Sequence, residues 1–396
     1  MAKKKRATKK KSASVKKATS ARKSPRVKKA SPKKGPPAKK SPSQCAEAVE
    51  AQLAQVDKEL LKLLQSRAKL FVKGVKQGQR AAGFQADSGD VLSQLVERSR
   101  GPLSPQSVRA IFRELLSGCR LLVRDVRVAF LGPQYSYSHL AALHRFGQSV
   151  EYIPVGSIPA VFEEVNRRHS DFGLVPIENS TDGRIVDTLD MFTRLPVKIR
   201  GQIEMAIHHT LLGKCARTDV TEVYSRPQAL SQCRNWLAKH LPAARTIEVT
   251  STSTAAQLAK EKPGAAAVAS LQAGVHYGLD VLAERIEDNS SNVTRFAVIG
   301  HEPADPTGND RTALLFQLEH EPGSLAEAMN VFKRNGVNLT WIESFPIPGS
   351  DRAYYFFVEM EGHQADKSLS RSISTIGRNA IRLEVLGSFP ASVAID

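Results

Sequence analysis

The sequence predicts a multidomain α/β chain, and three observations carry that prediction. Residues 46–123 space their apolar side chains three and four apart and contain no strand-like alternation. Residues 127–299 alternate short β-rich runs with helical ones, and the runs empty into turns of hydroxyl and amide side chains. Residues 312–386 follow the order strand, helix, strand, strand, helix, strand, the βαββαβ arrangement of ferredoxin-like domains. The expected divisions are a tail at 1–43, a helical domain at 44–124, an α/β body at 125–305 and a βαββαβ domain at 309–391.

The 396 residues leave room for two or three domains with proper cores. The net charge of +18 is local: 18 of the 57 Lys and Arg fall in residues 1–40, which hold no acid, leaving 39 basic residues against 39 acidic ones. The tail is Lys, Ala, Ser and Pro, with too little apolar surface to offset the entropy of ordering, and is expected to be disordered. Its Ser-Pro steps (Ser24-Pro25, Ser31-Pro32, Ser41-Pro42) resemble those of linker-histone tails. Such a polycation would contact nucleic acid non-specifically and in a salt-dependent way; a solubility extension is the alternative. Cys45, Cys119, Cys215 and Cys233 form no close pair, so neither a zinc site nor a disulfide framework is expected. No apolar run approaches the ~20 residues of a membrane span. A cytoplasmic protein without metal or cofactor is expected.

In the helical segment, Leu53, Val56, Leu60, Leu63, Leu64 and Leu70 mark an amphipathic helix. A Gly-rich break at 78–89 and a short helix at 91–98 follow. Ser104-Pro105 then supplies a cap and a first-turn Pro for a third helix at 108–123. Three helices without strands make a bundle expected to need a partner to complete its core. Asp57, Leu60-Leu61, Leu63-Leu64, Arg67 and the run Ile111-Phe112-Arg113-Glu114-Leu115-Leu116-Ser117 resemble the all-helical chorismate mutase domain. That reaction rearranges a dianion between cationic clamps. The cationic and polar positions of that family fall here on Glu50, Gly78, Val91-Leu92, Cys119 and Val123, and only Arg67 stands where the family has it. The resemblance therefore implies a helical domain kept for dimerisation or regulation, with mutase activity weak or absent; the rival is a fully bifunctional enzyme.

The body begins with the β-rich run 127–131, a Gly132-Pro133 turn, Gln134-Tyr135-Ser136-Tyr137-Ser138, and a helix at 139–146. Strand, Gly turn, hydroxyls and helix are how an α/β protein presents donors to an anion. A strand at 171–175 runs into Pro176-Ile177-Glu178-Asn179-Ser180. A strand at 222–224 leads to Ser225-Arg226-Pro227-Gln228 and a helix at 229–237, and Thr252-Ser253-Thr254-Ala255-Ala256 opens another helix. The fifth polar stretch, Asp288-Asn289-Ser290-Ser291-Asn292-Val293-Thr294-Arg295-Phe296, lies between the amphipathic run 281–286 and the apolar run 297–299. It reads either as a capped helix terminus or as a set of anion donors. Five such stretches in about 170 residues favour one shared cleft. His208 and His209 follow the apolar alternation Ile203, Met205, Ile207, which reads as a strand, and are expected to be structural.

Together, Gly132-Pro133 with Ser136-Tyr137-Ser138, Pro176 to Ser180 with Gly183, Pro227-Gln228-Ala229 with Gln232-Cys233, Ser253-Thr254-Ala255-Ala256 and Thr294-Arg295-Phe296 resemble prephenate dehydratase, over residues 126–300. The resemblance implies two α/β lobes with a cleft between them, similar to periplasmic binding proteins. It implies Thr294 at the departing hydroxyl, with Arg295 and Phe296 shaping its surroundings. Ser136, Tyr137, Ser138, Asn179, Ser180, Gln228, Ser253, Thr254 and Ala255 would line the cleft, Glu178 would orient its neighbours, and Arg226 stands where many relatives carry His. A hydroxyl donor suits a reaction that needs no nucleophile, metal or cofactor.

The last segment has strands expected at 312–318, 337–345, 352–360 and 381–386 and helices at 324–335 and 367–376. It resembles the ACT regulatory domain fused to this enzyme family. Glu321-Pro322-Gly323-Ser324-Leu325 corresponds to its Gly-Ala-Leu turn, and Asn338 with Glu343-Ser344-Phe345-Pro346 to its Glu-Ser-Arg-Pro. Gly323, Ser324, Leu325, Asn338, Glu343 and Ser344 would then bind L-phenylalanine as an allosteric effector, in a homodimer or homotetramer. A purely structural dimer domain is the alternative. A non-catalytic sensor using the same cleft, and a nucleic-acid-binding protein supported by the tail alone, are the rivals for the whole chain.

Overall fold

A computed structural model describes residues 42–77, 89–181, 183–347, 349–350 and 353–391. The expectations for the Lys-rich tail and for Gly78 lie outside the described residues. By its internal contacts the chain divides into two units, Met1–Leu60 and Leu61–Asp396.

Helix α1 (Pro42–Lys76) runs through the end of the first unit into the second. It is rich in Ala, Leu, Lys, Glu and Gln, the strong helix formers. In the first unit its Leu53 and Val56 are exposed, each by more than half. The second unit opens with the rest of α1, α2 (Gly89–Arg98) and α3 (Pro105–Leu121). Ser104 caps α3, accepting from the Ser107 N–H, and Pro105 occupies its first turn. Phe71, Leu92, Val108 and Leu116 are buried, while Leu63, Leu70, Ile111 and Leu122 stay exposed. The apolar stripe legible in the sequence is thus only partly covered among the described residues.

The first lobe of the body is a sheet of order β2 (Glu151–Val155), β1 (Arg127–Leu131), β3 (Phe172–Asn179), β11 (Val293–Gly300), β5 (Lys198–Ala206), with β4 (Gly183–Arg184) paired to the end of β3. Strand β11 runs antiparallel to both neighbours. Helices α4 (Tyr137–Phe146), α5 (Ile158–Asn166) and α6 (Val186–Arg194) accompany it. The second lobe has the order β10 (Asp280–Ala283), β6 (Thr210–Gly213), β9 (Ala265–Ala269), β7 (Glu222–Ser225), β8 (Arg245–Glu248). Its helices are α7 (Pro227–Gln232), α8 (Arg234–His240), α9 (Thr252–Glu261) and α10 (Leu271–Tyr277). The all-buried Ala-rich β9 packs with Ala255, Ala256 and Ala259 of α9, small side chains that let helix and strand approach closely. The chain crosses between lobes at residues 207–209 and again at 284–292.

The C-terminal part comprises β12 (Asp310–Leu318), α11 (Ser324–Arg334), β13 (Leu339–Pro346), β14 (Tyr354–Glu361), α12 (Lys367–Asn379) and β15 (Ala380–Pro390), in the antiparallel order β13-β14-β12-β15. Strand β12 shows why both faces of this sheet are buried. Leu314, Phe316 and Leu318 pack with Phe332, Leu369 and Ile376 of the two helices. The intervening Ala313 and Leu315 point the other way, into one core with Ile199, Ala297 and Ile299 of the first lobe, joined by Phe345, Tyr355, Phe357 and Leu386. Gly387 on β15 meets Ile199 on β5 so closely that a Cβ there would lie 2.1 Å from the Ile199 carbonyl oxygen. Its φ of +150° also belongs to glycine.

Three local expectations change. Strand β3 does not end at Val175 but continues to Asn179, because β11 goes on pairing with it. Pro176, which has no N–H to give the ladder, is the partner of Phe296 and borders the register shift, which leaves Ile177 between the partners of Phe296 and Arg295. The helix expected at 229–237 breaks at Cys233 into α7 and α8, and the second half gains its own cap: the Asp288 carboxylate accepts from the Asn235 and Trp236 N–H groups. Of the amphipathic run 281–286, residues 281–283 belong to strand β10, so the capped-helix alternative for the polar stretch after it does not hold.

Candidate functional site

The site grows from strand β11. Thr294 and Arg295 are neighbours in an extended strand, so their side chains leave opposite faces of the sheet. Thr294 shares its face with Phe296, which lies 2% exposed in the core beneath it with Phe130, Ile203 and Val298. The Thr294 Oγ1 accepts from Asn179 Nδ2 at 2.8 Å, across the Thr294–Asn179 ladder pair. Asn179 Nδ2 also donates to Asn292 Oδ1 at 3.0 Å, and Asn292 Nδ2 donates to Gln232 Oε1 at 3.1 Å. Gln232 Oε1 lies 2.8 Å from His209 Nε2. Because that oxygen only accepts, Nε2 carries the proton, and Nδ1 is left to face the Tyr137 hydroxyl at 3.3 Å. Tyr137 donates to the His208 carbonyl at 2.6 Å. A continuous polar chain thus runs from Thr294 in the first lobe through Gln232 in the second and back to Tyr137 on α4.

Burial sets the protonation states along this chain. It pushes the His209 pKa down, so the imidazole is neutral, with the Gln232 hydrogen bond and Glu287 pulling weakly the other way. It pushes the Tyr137 phenol up, aided by Cys233 and Glu287, so Tyr137 is a permanent donor. Glu287 stays ionised: burial opposes its charge, but His208 Nδ1 at 2.8 Å and the His209 N–H at 2.9 Å outweigh it. His208 is held by this pair, as a structural residue would be. His209 is also structural in its bonding, yet it belongs to the chain that reaches Thr294.

The loop after β1 forms the other wall. Gly132-Pro133 is a cis peptide and Tyr135 has φ +63°. Ser136 caps α4, its Oγ accepting from the His139 N–H and donating to the Leu131 carbonyl. From the second lobe, Ser253 Oγ donates to the Gln134 carbonyl at 2.9 Å and Ser270 Oγ to the Tyr135 carbonyl. The Tyr135 ring stacks on His276 at 3.9 Å. Two helix N-termini, those of α4 and α9, therefore face one loop, and both favour negative charge.

The structure brings Thr294, Asn179 and Ser180 together at the end of the β3–β11 pair; Ser180 Oγ accepts from the Val293 N–H and donates to the Ser291 carbonyl. Tyr137 and the buried Ser138 sit in the first turn of α4. Thr254 is tied to the capping Ser251. Gln228 and the exposed Arg226 open α7. Ala255 does not reach the cleft: its side chain is fully buried in the alanine core and its N–H bonds the Ser251 carbonyl. Arg295 does not join Thr294 either. It points to the C-terminal sheet, donating to Glu178 at 2.7 Å, Gln202 at 2.9 Å and the fully buried Glu359 at 2.6 Å, with Trp341 beneath its guanidinium. Burial works against that charge, and Glu359 and then Glu178 hold its pKa above the usual arginine value. Asn292 and Gln232 escaped the sequence-based selection, although Asn292 stands two residues before Thr294 and so on its face.

Of the proposed effector residues, Gly323 starts α11 with φ +96°, and Ser324 and Leu325 form its first turn. Asn338 and Ser344 are exposed, whereas Glu343 is in an ion pair with Arg184 of β4 at 3.0 Å. Phe345 is buried in the core shared with the first lobe. In the helical segment, Arg67 Nη1 lies 3.4 Å from the Sγ of buried Cys119. No cluster of His, Cys, Asp or Glu among the described residues could hold a metal ion, and no described helix is long and apolar enough to cross a membrane.

Residues 128–304 match the family model described as prephenate dehydratase. A bifunctional chorismate mutase/prephenate dehydratase of Stutzerimonas stutzeri is 38% identical over 357 residues, covering 88% of this chain and 98% of that one. One from Aquifex aeolicus is 38% identical over 351 residues, covering 86% and 97%. Among solved structures, a prephenate dehydratase from Arthrobacter aurescens in complex with L-Phe is 30% identical, with a TM-score of 0.63 over 67% of this chain and 90% of that one.

Proposed function

The chain belongs to the family of bifunctional chorismate mutase/prephenate dehydratases, and from that membership we infer that it converts prephenate to phenylpyruvate in phenylalanine biosynthesis, under feedback control by phenylalanine. One observation supports the mechanism best: the Thr294 hydroxyl accepts from Asn179, which leaves its own proton free to be donated. Prephenate is a dicarboxylate with a ring hydroxyl para to the carboxylate it loses. The C–C bond to that carboxylate breaks to release CO2, its electron pair enters the ring, and the C–O bond opposite breaks. The departing oxygen takes up one proton from solvent and leaves as water. Aromatisation drives the step, so the protein has only to hold the dianion and stabilise the oxygen as it leaves. Thr294 supplies that hydrogen bond. The N-terminus of α9 and the α4 turn with Tyr137 and Ser138 supply the positive potential for the carboxylates.

The βαββαβ part is read as an ACT domain binding phenylalanine, in a chain that assembles as a homodimer or homotetramer; the apolar stripe left open on α1 and α3 supports self-association. Residues 44–124 are read as a mutase domain without useful activity, since the family's other cationic positions fall on Glu50, Gly78 and Val91-Leu92 and the one that remains, Arg67, lies 3.4 Å from the Cys119 Sγ. Cytoplasmic location and non-specific nucleic-acid contact through residues 1–43 complete the reading. The test is Thr294→Val. It should lower kcat on prephenate by about 10²–10³ with the fold intact by circular dichroism. Unchanged turnover refutes the role of Thr294.

A further inference from the structure

We propose that Glu359, a carboxylate of the C-terminal sheet, is a positioning residue for the dehydratase reaction, acting on Thr294 through Arg295 and passing the state of strand β13 to the catalytic strand. The proposal rests on Thr294 as the catalytic hydroxyl and on the C-terminal part as the effector domain.

Glu359 is fully buried, and both its oxygens are engaged. Oε2 accepts from Arg295 Nη2 and Gln202 Nε2, each at 2.6 Å, so it grips two strands of the catalytic sheet, β11 and β5. Oε1 accepts from Arg311 of β12 at 3.0 Å and from Thr340 of β13 at 3.0 Å. A single carboxylate therefore connects the residue next to Thr294 with the strand that carries Glu343 and Ser344 and begins one residue after Asn338. A second tie converges on the same place. Glu343 of β13 pairs with Arg184, and β4 pairs with β3 at Glu178 and Asn179, the residue that holds Thr294 Oγ1. Both ends of the Asn179–Thr294 hydrogen bond are thus backed by ties to β13, one through the Arg184–Glu343 ion pair and one through the Arg295–Glu359 ion pair and the Thr340 hydrogen bond.

The chemistry of the pair suits a coupling role. A hydrophobic contact between the sheets would give adhesion alone, and the shared core already provides that. A buried ion pair adds little net stability, but it is directional and costly to leave half made. A shift of β13 that withdraws Thr340 or Glu343 must be answered by Glu359 and Arg184, and the response reaches Thr294 within one residue of backbone. A misplacement of about 1 Å at a reacting group is enough for a 10²-fold change in rate.

The experiment uses the full chain, with prephenate turnover and the phenylalanine concentration giving half inhibition as readouts. Glu359→Gln keeps the shape and removes the charge; it should lower kcat by about tenfold or more with KM changed less than twofold, and change the half-inhibiting concentration at least fivefold. Thr340→Val strands no charge and touches no catalytic group. It should lower uninhibited kcat by less than Glu359→Gln does and raise the half-inhibiting concentration at least threefold. Wild-type kcat and inhibition in a folded Glu359→Gln protein overturn the proposal, as does unchanged inhibition in Thr340→Val should Glu359→Gln fail to fold. Absence of prephenate turnover in the unsubstituted chain would instead overturn the dehydratase reading itself.

Discussion

Gly387→Ala tests how closely the C-terminal sheet must dock on the catalytic one. A methyl group there would lie 2.1 Å from the Ile199 carbonyl oxygen and 3.1 Å from its carbonyl carbon and nitrogen. Carbon–oxygen contacts normally stay beyond about 3.3 Å, so β15 would have to retreat from β5 by about 1 Å. A retreat of that size forfeits about a quarter to a half of the dispersion energy of the packed contacts. It also stretches the 2.7 Å hydrogen bond from Lys198 Nζ to the Val385 carbonyl. Overpacking of this kind costs about 1–3 kcal/mol, and a φ of +150° adds about 1–3 kcal/mol for any residue with a Cβ. The expected loss is therefore about 2–6 kcal/mol, or a fall in Tm of about 5–15 °C. Thermal unfolding followed by circular dichroism measures it, with phenylalanine inhibition recorded on the same preparation below the transition. On the proposed reading of the C-terminal part, inhibition should weaken, because its docking is displaced. A Tm within 1 °C of the parent would mean that the two strands do not meet this way.

Purified protein should consume no chorismate at a rate above the uncatalysed one while turning over prephenate; enzymatic loss of chorismate would mean that basic residues other than Arg67 form a working clamp. Glu287→Gln should destabilise the protein by about 1–3 kcal/mol at pH 7, since hydrogen bonds to a buried charge are replaced by neutral ones. The folded Glu287 pKa lies below its ordinary 4.5, so its contribution is full above that value and fades as pH falls through the folded pKa. The urea midpoints of parent and variant should therefore draw together as pH falls below 4.5, and a gap that stays constant on acidification would contradict the assignment.

What could be read in advance, and what could not, follows from the range of the interactions. Apolar spacing announced α1 and α3, and the alternating and helical runs gave the C-terminal elements in their order, with β12, β13 and β14 ending within two residues of expectation and β15 running four residues further, because both signals are local. The break between α7 and α8 was not legible, since its cap, Asp288, lies more than fifty residues further along the chain. Thr294, Arg295 and Phe296 read as one unit in the sequence, yet a strand's two-residue period sends the middle one to the opposite face. That period was available to sequence reasoning; the partner waiting on the other face, Glu359, was not, at a separation of 64 residues. Ala255 had a polar motif around it and a core beneath it, and an Ala side chain goes to the core.

The core that runs unbroken from Ile199 and Ile299 to Leu315, Phe357 and Phe389 has a practical meaning for anyone hoping to free the enzyme from its inhibitor. Cutting the chain after residue 308 would not unplug a sensor; it would strip a face of the catalytic lobe and leave Ile199, Ala297 and Ile299 open to water. Feedback-resistant variants should accordingly arise by substitution within β13 and β14 and not by deletion. On the proposed reading of the C-terminal part, the regulator is also part of the enzyme's wall.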